Sequence, residues 1–122
     1  MRLVYVLDTN DLRLAGEFWT AALGFEPVDV PNRPYLELKD PNGRWPDLLL
    51  QEVPEPKTGK NRMHLDMVVP DLHAEVPRLL ALGAVHREGP VEEAHHRVVV
   101  LADPEGNEFC VIDHLTGGGT AR

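Results

Sequence analysis

Apolar residues recur along the chain in two nearly matching cycles. In the first, an apolar-rich run at residues 3–7 predicts a strand. Asp11 then offers a helix N-cap. Ala15, Phe18, Trp19, Ala22 and Leu23 follow at helical spacing, forming one apolar stripe that Gly24 brings to an end. Strands are predicted at 25–30, 35–39 and 48–53, with the tight turn Asp40-Pro41-Asn42-Gly43 before the last of them. The second cycle opens with a strand at 62–69. Alternation there puts Arg62, His64, Asp66 and Val68 on one side and Met63, Leu65, Met67 and Val69 on the other, so one side is apolar and the other carries chemistry. Asp71 caps a second helix with Val76, Leu79 and Leu80 on its stripe and Gly83 at its end. Pro77 inside it removes a hydrogen bond and crowds the preceding turn, which predicts a kink or a late start. A strand at 84–88, a loop, a strand at 97–102, the turn Asp103-Pro104-Glu105-Gly106 and a strand at 108–113 complete the cycle.

This internal repeat sets the fold class, α+β, as two βαβββ modules. Neither module can bury both faces of its sheet alone. The helices should therefore cover the outer faces, while the inner faces meet around a cavity. The whole is expected to be a single domain over residues 1–115: module 1 at 1–53, a Pro/Gly/Lys-rich linker at 54–61 and module 2 at 62–115. A disordered tail is expected at 116–122.

Composition narrows the function classes. At 122 residues, 43% of them hydrophobic, the chain needs neither disulfide nor metal merely to fold. Its net charge of −8, with basic residues scattered, argues against nucleic acid and is compatible with a cationic ligand. No apolar run approaches the roughly 20 residues needed to span a bilayer, and Asp8 interrupts the N-terminal run too early for a signal peptide. A cytoplasmic protein without membrane partners is the expectation, and the single Cys110 agrees with a reducing compartment.

Particular phrases go further. Asp11-Leu12 with Phe18-Trp19 and Leu23-Gly24-Phe25 in the first module, and Leu82-Gly83-Ala84 with Asp103-Pro104-Glu105-Gly106-Asn107-Glu108-Phe109-Cys110-Val111 in the second, resemble the vicinal oxygen chelate superfamily. This is the glyoxalase, bleomycin-resistance and extradiol-dioxygenase group, and Lys60-Asn61-Arg62-Met63-His64-Leu65-Asp66 is similar to a glyoxalase-like subgroup of it. The resemblance implies a partly open barrel around the cavity and a homodimer. It also implies that an ion, where members bind one, is held from the first, fourth, fifth and eighth strands, usually by His or Gln, Glu, His and Glu. Those positions fall at Val4, Gln51 or its neighbour Glu52, His64 and Cys110. Valine ligates nothing and a neutral amide is a poor substitute for carboxylate, so no metal or other cofactor is expected. If zinc, nickel or manganese is bound, its ligands would be Gln51, His64 and Cys110.

The expected ligand contacts are Gln51, Arg62, His64, Asp66 and Cys110. His64 is open to two readings, a general base or hydrogen-bond donor toward a ligand, or one member of a self-satisfied cluster with Arg62 and Asp66. Cys110 is either a nucleophile served by His64 or a small core residue, and Glu108 either an inward-facing base or a solvated strand end. His73, His86 and His114 read as solvated. The neighbours His95 and His96 should face opposite ways, and Trp45, at a strand entry, reads as core, with a cover over the cavity mouth or a dimer contact as the alternative. The first function expected is therefore a glyoxalase-like protein that binds or transforms a small organic molecule. The alternatives are a binding protein that sequesters a drug or metabolite, and a metal-dependent lyase or isomerase of the glyoxalase I type.

Overall fold

The structure, a computed structural model, describes residues 2–28, 34–93 and 95–114. The chain divides into two compact units, Met1–Thr58 and Gly59–Arg122. Among the described residues no helix is long and apolar enough to cross a membrane.

In the first unit, β1 (Val4–Thr9) leads into α1 (Leu12–Leu23), and β2 (Glu26–Pro27), β3 (Tyr35–Lys39) and β4 (Asp47–Glu52) follow. The sheet order is β1-β4-β3-β2, with β1 parallel to β4 and the other pairs antiparallel. The helix begins where its sequence says it should, because the Asp11 carboxylate accepts from the Leu14 N–H at 3.0 Å. It ends at Gly24, whose φ of +70° suits glycine, with the Phe25 N–H returning to the Thr20 carbonyl. Ala15, Phe18, Trp19 and Ala22 are buried against β3 and β4, where Leu38, Leu48 and Leu50 meet them. Phe18 and Trp19 pack edge to face.

The second unit repeats the plan with β5 (Asp66–Val68), α2 (Leu72–Leu82), β6 (Val85–Glu93), β7 (His96–Ala102) and β8 (Glu108–His114), in the order β5-β8-β7-β6. Again the one parallel pair, β5 with β8, joins the strand before the helix to the last strand. Leu72 and Leu79 of α2 are buried, as are Val99, Leu101, Phe109 and Val111 of the sheet beneath it. Asp113, on the same side of β8, is fully buried. It accepts from Arg97 Nε at 2.9 Å, Arg97 Nη2 at 2.6 Å and the Leu72 N–H at 2.8 Å, so one carboxylate ties β7 and β8 to the start of α2. The arginine bonds hold its carboxyl below the ordinary range despite burial. The turns Asp40-Pro41-Asn42-Gly43 and Asp103-Pro104-Glu105-Gly106 close alike: each aspartate carbonyl accepts from the glycine N–H, and its carboxylate collects the N–H groups that follow.

Several local expectations are corrected. The strand expected at 62–69 is only Asp66–Val68, and Met63, placed on the apolar side, is 76% exposed. β5 lies at a sheet edge, so its length is set by pairing with β8 alone; the Cys110 N–H still reaches the Leu65 carbonyl at 2.9 Å, and the side chains of Lys60 and Asn61 tie the segment before it to Glu108. Residues 89–93, expected as loop, continue β6 through Gly89 and Pro90. There too the strand is an edge, where a proline without an N–H is tolerated and register irregularities between His86 and Val91 take up the misfit. β2 is only Glu26–Pro27, although the Val28 N–H still bonds to the Glu37 carbonyl at 2.8 Å, and residues 29 and 30 of its expected span lie outside those described. α2 starts at Leu72, so Pro77 does not delay it; Leu80 is exposed, the buried stripe being Leu72 and Leu79 with Val76 half-buried. Trp45 is 64% exposed rather than core, its backbone N–H donating to the Asp40 carboxylate at 3.2 Å. The expected tail lies outside the described residues.

Candidate functional site

Alternation along β8 decides which side chains the second sheet offers. Phe109, Val111 and Asp113 point toward α2, which leaves Glu108, Cys110 and Ile112 on the open face. Asp66 is the register partner of Cys110 across the parallel β5·β8 pair and therefore shares that face. His64 sits just before β5, with the Cys110 N–H bonding to the neighbouring Leu65 carbonyl at 2.9 Å. The imidazole Nε2 lies 3.2 Å from Asp66 Oδ1, and both side chains are about half exposed. The ring nitrogen of His64, a carboxylate oxygen of Asp66 and the sulfur of Cys110 all lie within 4.8 Å of one another.

The electrostatics of this trio limit its chemistry. Burial first, and then the Asp66 carboxylate that the thiol faces and bonds to, push Cys110 above the ordinary thiol range. A thiol held protonated is a hydrogen-bond donor and a weak nucleophile. Glu108 shares the face but its carboxylate is bonded to Lys60 Nζ at 2.7 Å, and that ion pair raises the lysine.

Two residues assigned to the linker build the site. The Asn61 carbonyl oxygen accepts from the Glu108 N–H at 3.0 Å, and its amide donates to Asn107 Oδ1 at 3.3 Å. Asn107 is buried and donates to Asp103 Oδ2 at 3.0 Å. A chain of side-chain bonds thus runs from the Asp103 turn through Asn107 to the segment that carries His64. Lys60 and Asn61 are not among the expected site residues because a Pro/Gly/Lys-rich stretch reads as solvent-exposed connection, although the phrase at 60–66 is itself similar to a glyoxalase-like subgroup. Arg62 does not join the trio. It is exposed in a bend and makes no hydrogen bond or ion pair among the described residues.

In the first unit Gln51 lies half-buried on β4, register partner of Tyr35 and Asp8, with Glu52 beside it. Spacing from the turns matches Cys110 to another residue: Asp47 follows Asp40 by the same interval that separates Cys110 from Asp103. Asp47 is engaged. Arg2 Nη2 donates to Asp47 Oδ2 and to Glu37 Oε2 at 2.6 Å each, and the hydrogen bond with Glu37, followed by that from Arg2, keeps the Asp47 carboxyl low. Val4, its register partner, brings no donor. The donor set therefore does not fit the ion centre that the resemblance implies: the first-strand position is an alkyl group and the eighth-strand carboxylate is a thiol.

Among the remaining histidines, His96 stacks on its register partner His114 at 4.8 Å, while His95 precedes β7. His114, expected to be solvated, is exposed but in ring contact. His73 accepts from Arg97 Nη1 at 2.7 Å, and His86 Nε2 lies 2.8 Å from the Gly89 carbonyl.

Comparison with known proteins places this geometry. Among solved structures, a glyoxalase/bleomycin resistance protein/dioxygenase family enzyme from Burkholderia phytofirmans PsJN superposes with a TM-score of 0.75 at 21% identity, covering 92% of this chain and 97% of that one. A glyoxalase family protein from Bacillus cereus gives 0.72 at 16% identity, covering 94% and 95%. The antibiotic-binding protein TnmS3 from Streptomyces sp. CB03234 gives 0.70 at 22%, covering 93% and 95%. A curated relative, protein-glutamate methylesterase/protein-glutamine glutaminase 2 of Chromobacterium violaceum, is 32% identical over 56 residues; the match covers 44% of this chain and only 16% of that protein's length. The sequence profile of the glyoxalase-like domain matches residues 4–112, nearly the whole chain. With two βαβββ modules of identical strand order, the chain belongs to the glyoxalase-like domain family, within the vicinal oxygen chelate superfamily.

Proposed function

We propose that this glyoxalase-like chain binds a small, positively charged organic molecule on the open face of its second sheet, through His64, Asp66 and Cys110. The observation that carries the reading is the convergence of an imidazole, a carboxylate and a thiol within 4.8 Å on a half-exposed surface. The three side chains bond one another and are open enough to solvent for an incoming molecule to reach them together. Asp66 supplies the charge that a cation recognises, and the net charge of −8 adds long-range attraction.

Sequestration without turnover is favoured over catalysis by one specific feature. The thiol is held protonated and the nearby Glu108 is tied to Lys60, so neither stands ready as nucleophile or base. The fold likeness to an antibiotic-binding protein is in keeping with that reading. By family analogy we extend the proposal to a homodimer.

A thermal-shift screen of cationic, neutral and anionic aromatic compounds tests it, since a ligand stabilises only the state it binds. Selective stabilisation by cations, lost in Asp66→Asn and His64→Ala, is the expected result, and recovery of the compound unaltered separates sequestration from turnover. Equal stabilisation of the wild type and the Asp66→Asn variant would remove this cluster from consideration.

A further inference from the structure

Register across the second sheet arranges its open face in rows, and two of them reach well past the trio. One runs Asp66, Cys110, Val100, Glu88 from β5 through β8 and β7 to β6. The next runs Val68, Ile112, Val98, Val91 over the same four strands. Alternation fixes the side: Val99 and Leu101 of β7 are buried toward α2, which turns Val98 and Val100 to the open face. The first row is therefore acidic at its two ends and uncharged between them, the Cys110 thiol being held protonated, by burial first. The second row is apolar throughout, and its ends lie open, Val68 at 62% and Val91 at 42% exposed. Glu93, His96 and His114 border it on the far side, so an apolar strip with polar margins crosses the full width of the sheet.

Resting on the reading of Asp66 as the contact for a cation, we propose that the ligand is an elongated dication. One positive end meets Asp66, the other meets Glu88, and the apolar body lies along Val68, Ile112, Val98 and Val91. Adjacent strands stand about 4.8 Å apart, so three spacings place the two carboxylates roughly 14 Å from each other. One compact cation cannot bridge that distance, and each acid needs its own partner. Glu88 makes no hydrogen bond or ion pair among the described residues. The Lys60 ammonium acts on it only at longer range, being bonded to Glu108 at 2.7 Å.

Two fixed negative charges with an apolar strip beside them match a molecule with positive ends and an apolar middle. They disfavour an anion. Attraction at the second end adds to the first only when the molecule is long enough to reach both, so affinity should depend on length and pass through an optimum. Apolar contact along the strip adds a contribution that a short or fully hydrated cation does not gain.

Calorimetry with α,ω-diaminoalkanes of increasing length, each beside the monoamine of equal length, tests the inference. Affinity should peak where the two nitrogens stand roughly 14 Å apart, at least about 10-fold above the matching monoamine. Glu88→Gln, an exposed change, should erase that advantage. Glu92→Gln removes the same charge from the other face, where Glu92 is the register partner of Arg97, and should leave the advantage in place. Val91→Ser should weaken the long diamine about threefold or more. An advantage that ignores length or survives Glu88→Gln overturns the inference. Monoamines that bind through Asp66 while diamines gain nothing sink this inference alone. Diamine binding that survives Asp66→Asn, or no binding of either class, removes the trio reading together with it.

Discussion

Replacing Asn107 by alanine probes the bond chain that holds the His64 segment. The amide of Asn107 donates to the carboxylate of buried Asp103 at 3.0 Å and accepts from Asn61 at 3.3 Å. A hydrogen bond to a charged acceptor contributes about 1.5–3 kcal/mol net, and a long one to a half-buried amide about 0.5 kcal/mol. The backbone bonds to Asp103 from Glu105 and from residue 107 survive the change. The expected loss is therefore about 2–3.5 kcal/mol. For a chain of this size each kcal/mol lowers Tm by about 3–5 °C, so the fall should be roughly 6–17 °C. Urea unfolding of Asn107→Ala, Asn61→Ala and the double variant gives both the total and the coupling between the two side chains, expected to be about 0.5 kcal/mol. A loss below about 0.5 kcal/mol for Asn107→Ala would show that the Asp103 turn holds without its amide. Additivity in the cycle would show that the turn and the His64 segment are energetically separate.

Other outcomes follow from single sites. Gly89→Ala should cost about 2–4 kcal/mol by chemical denaturation, because φ is +95° and a Cβ would stand 2.6 Å from the Val98 carbonyl oxygen. Alkylation of Cys110 by iodoacetamide at neutral pH should be slow and should accelerate in Asp66→Asn: removing the carboxylate lowers the thiol pKa and raises the thiolate fraction, although burial keeps it above the ordinary value. A rate unchanged by Asp66→Asn would mean that the carboxylate does not govern the thiol. The Asp113 carboxyl is depressed in the folded state, so its stabilisation is fully present above the unfolded value of about 3.9 and is lost as pH falls through the lower folded one. Asp113→Asn should flatten that acid limb in a pH series of Tm values; an unaltered limb assigns it to other carboxylates.

What the sequence disclosed, it disclosed through local chemistry. Asp11 and Asp71 cap, Gly24 and Gly83 stop, and both Asp-Pro-x-Gly turns fold on their own aspartates, so the two modules and their order could be read directly. Strand extents at sheet edges could not, because the rules against Gly and Pro describe strands paired on both sides and β6 has only β7. The candidate site was legible in part. His64 and Asp66 were paired through a longer strand than the one that forms, and Cys110 entered through the resemblance, while the Asp66–Cys110 register is a long-range pairing that no local pattern encodes. Nor could composition show that Lys60 and Asn61 close the site, or that Arg62, one residue further, stays out of it. For Trp45 the core reading fails and the exposed alternative stands, because hydrophobicity alone does not say on which side of a turn a side chain emerges.

The borders of the second sheet have a bearing on how the protein behaves in a crowded solution. On one flank β5 is only three residues long and, among the described residues, pairs with β8 alone. On the other, β6 is long but broken in register twice and carries Glu88, Glu92 and Glu93. Neither flank gives an incoming extended peptide the straight, uncharged template on which strand-by-strand accretion depends, so the sheet guards itself against fibrous growth without needing a cap.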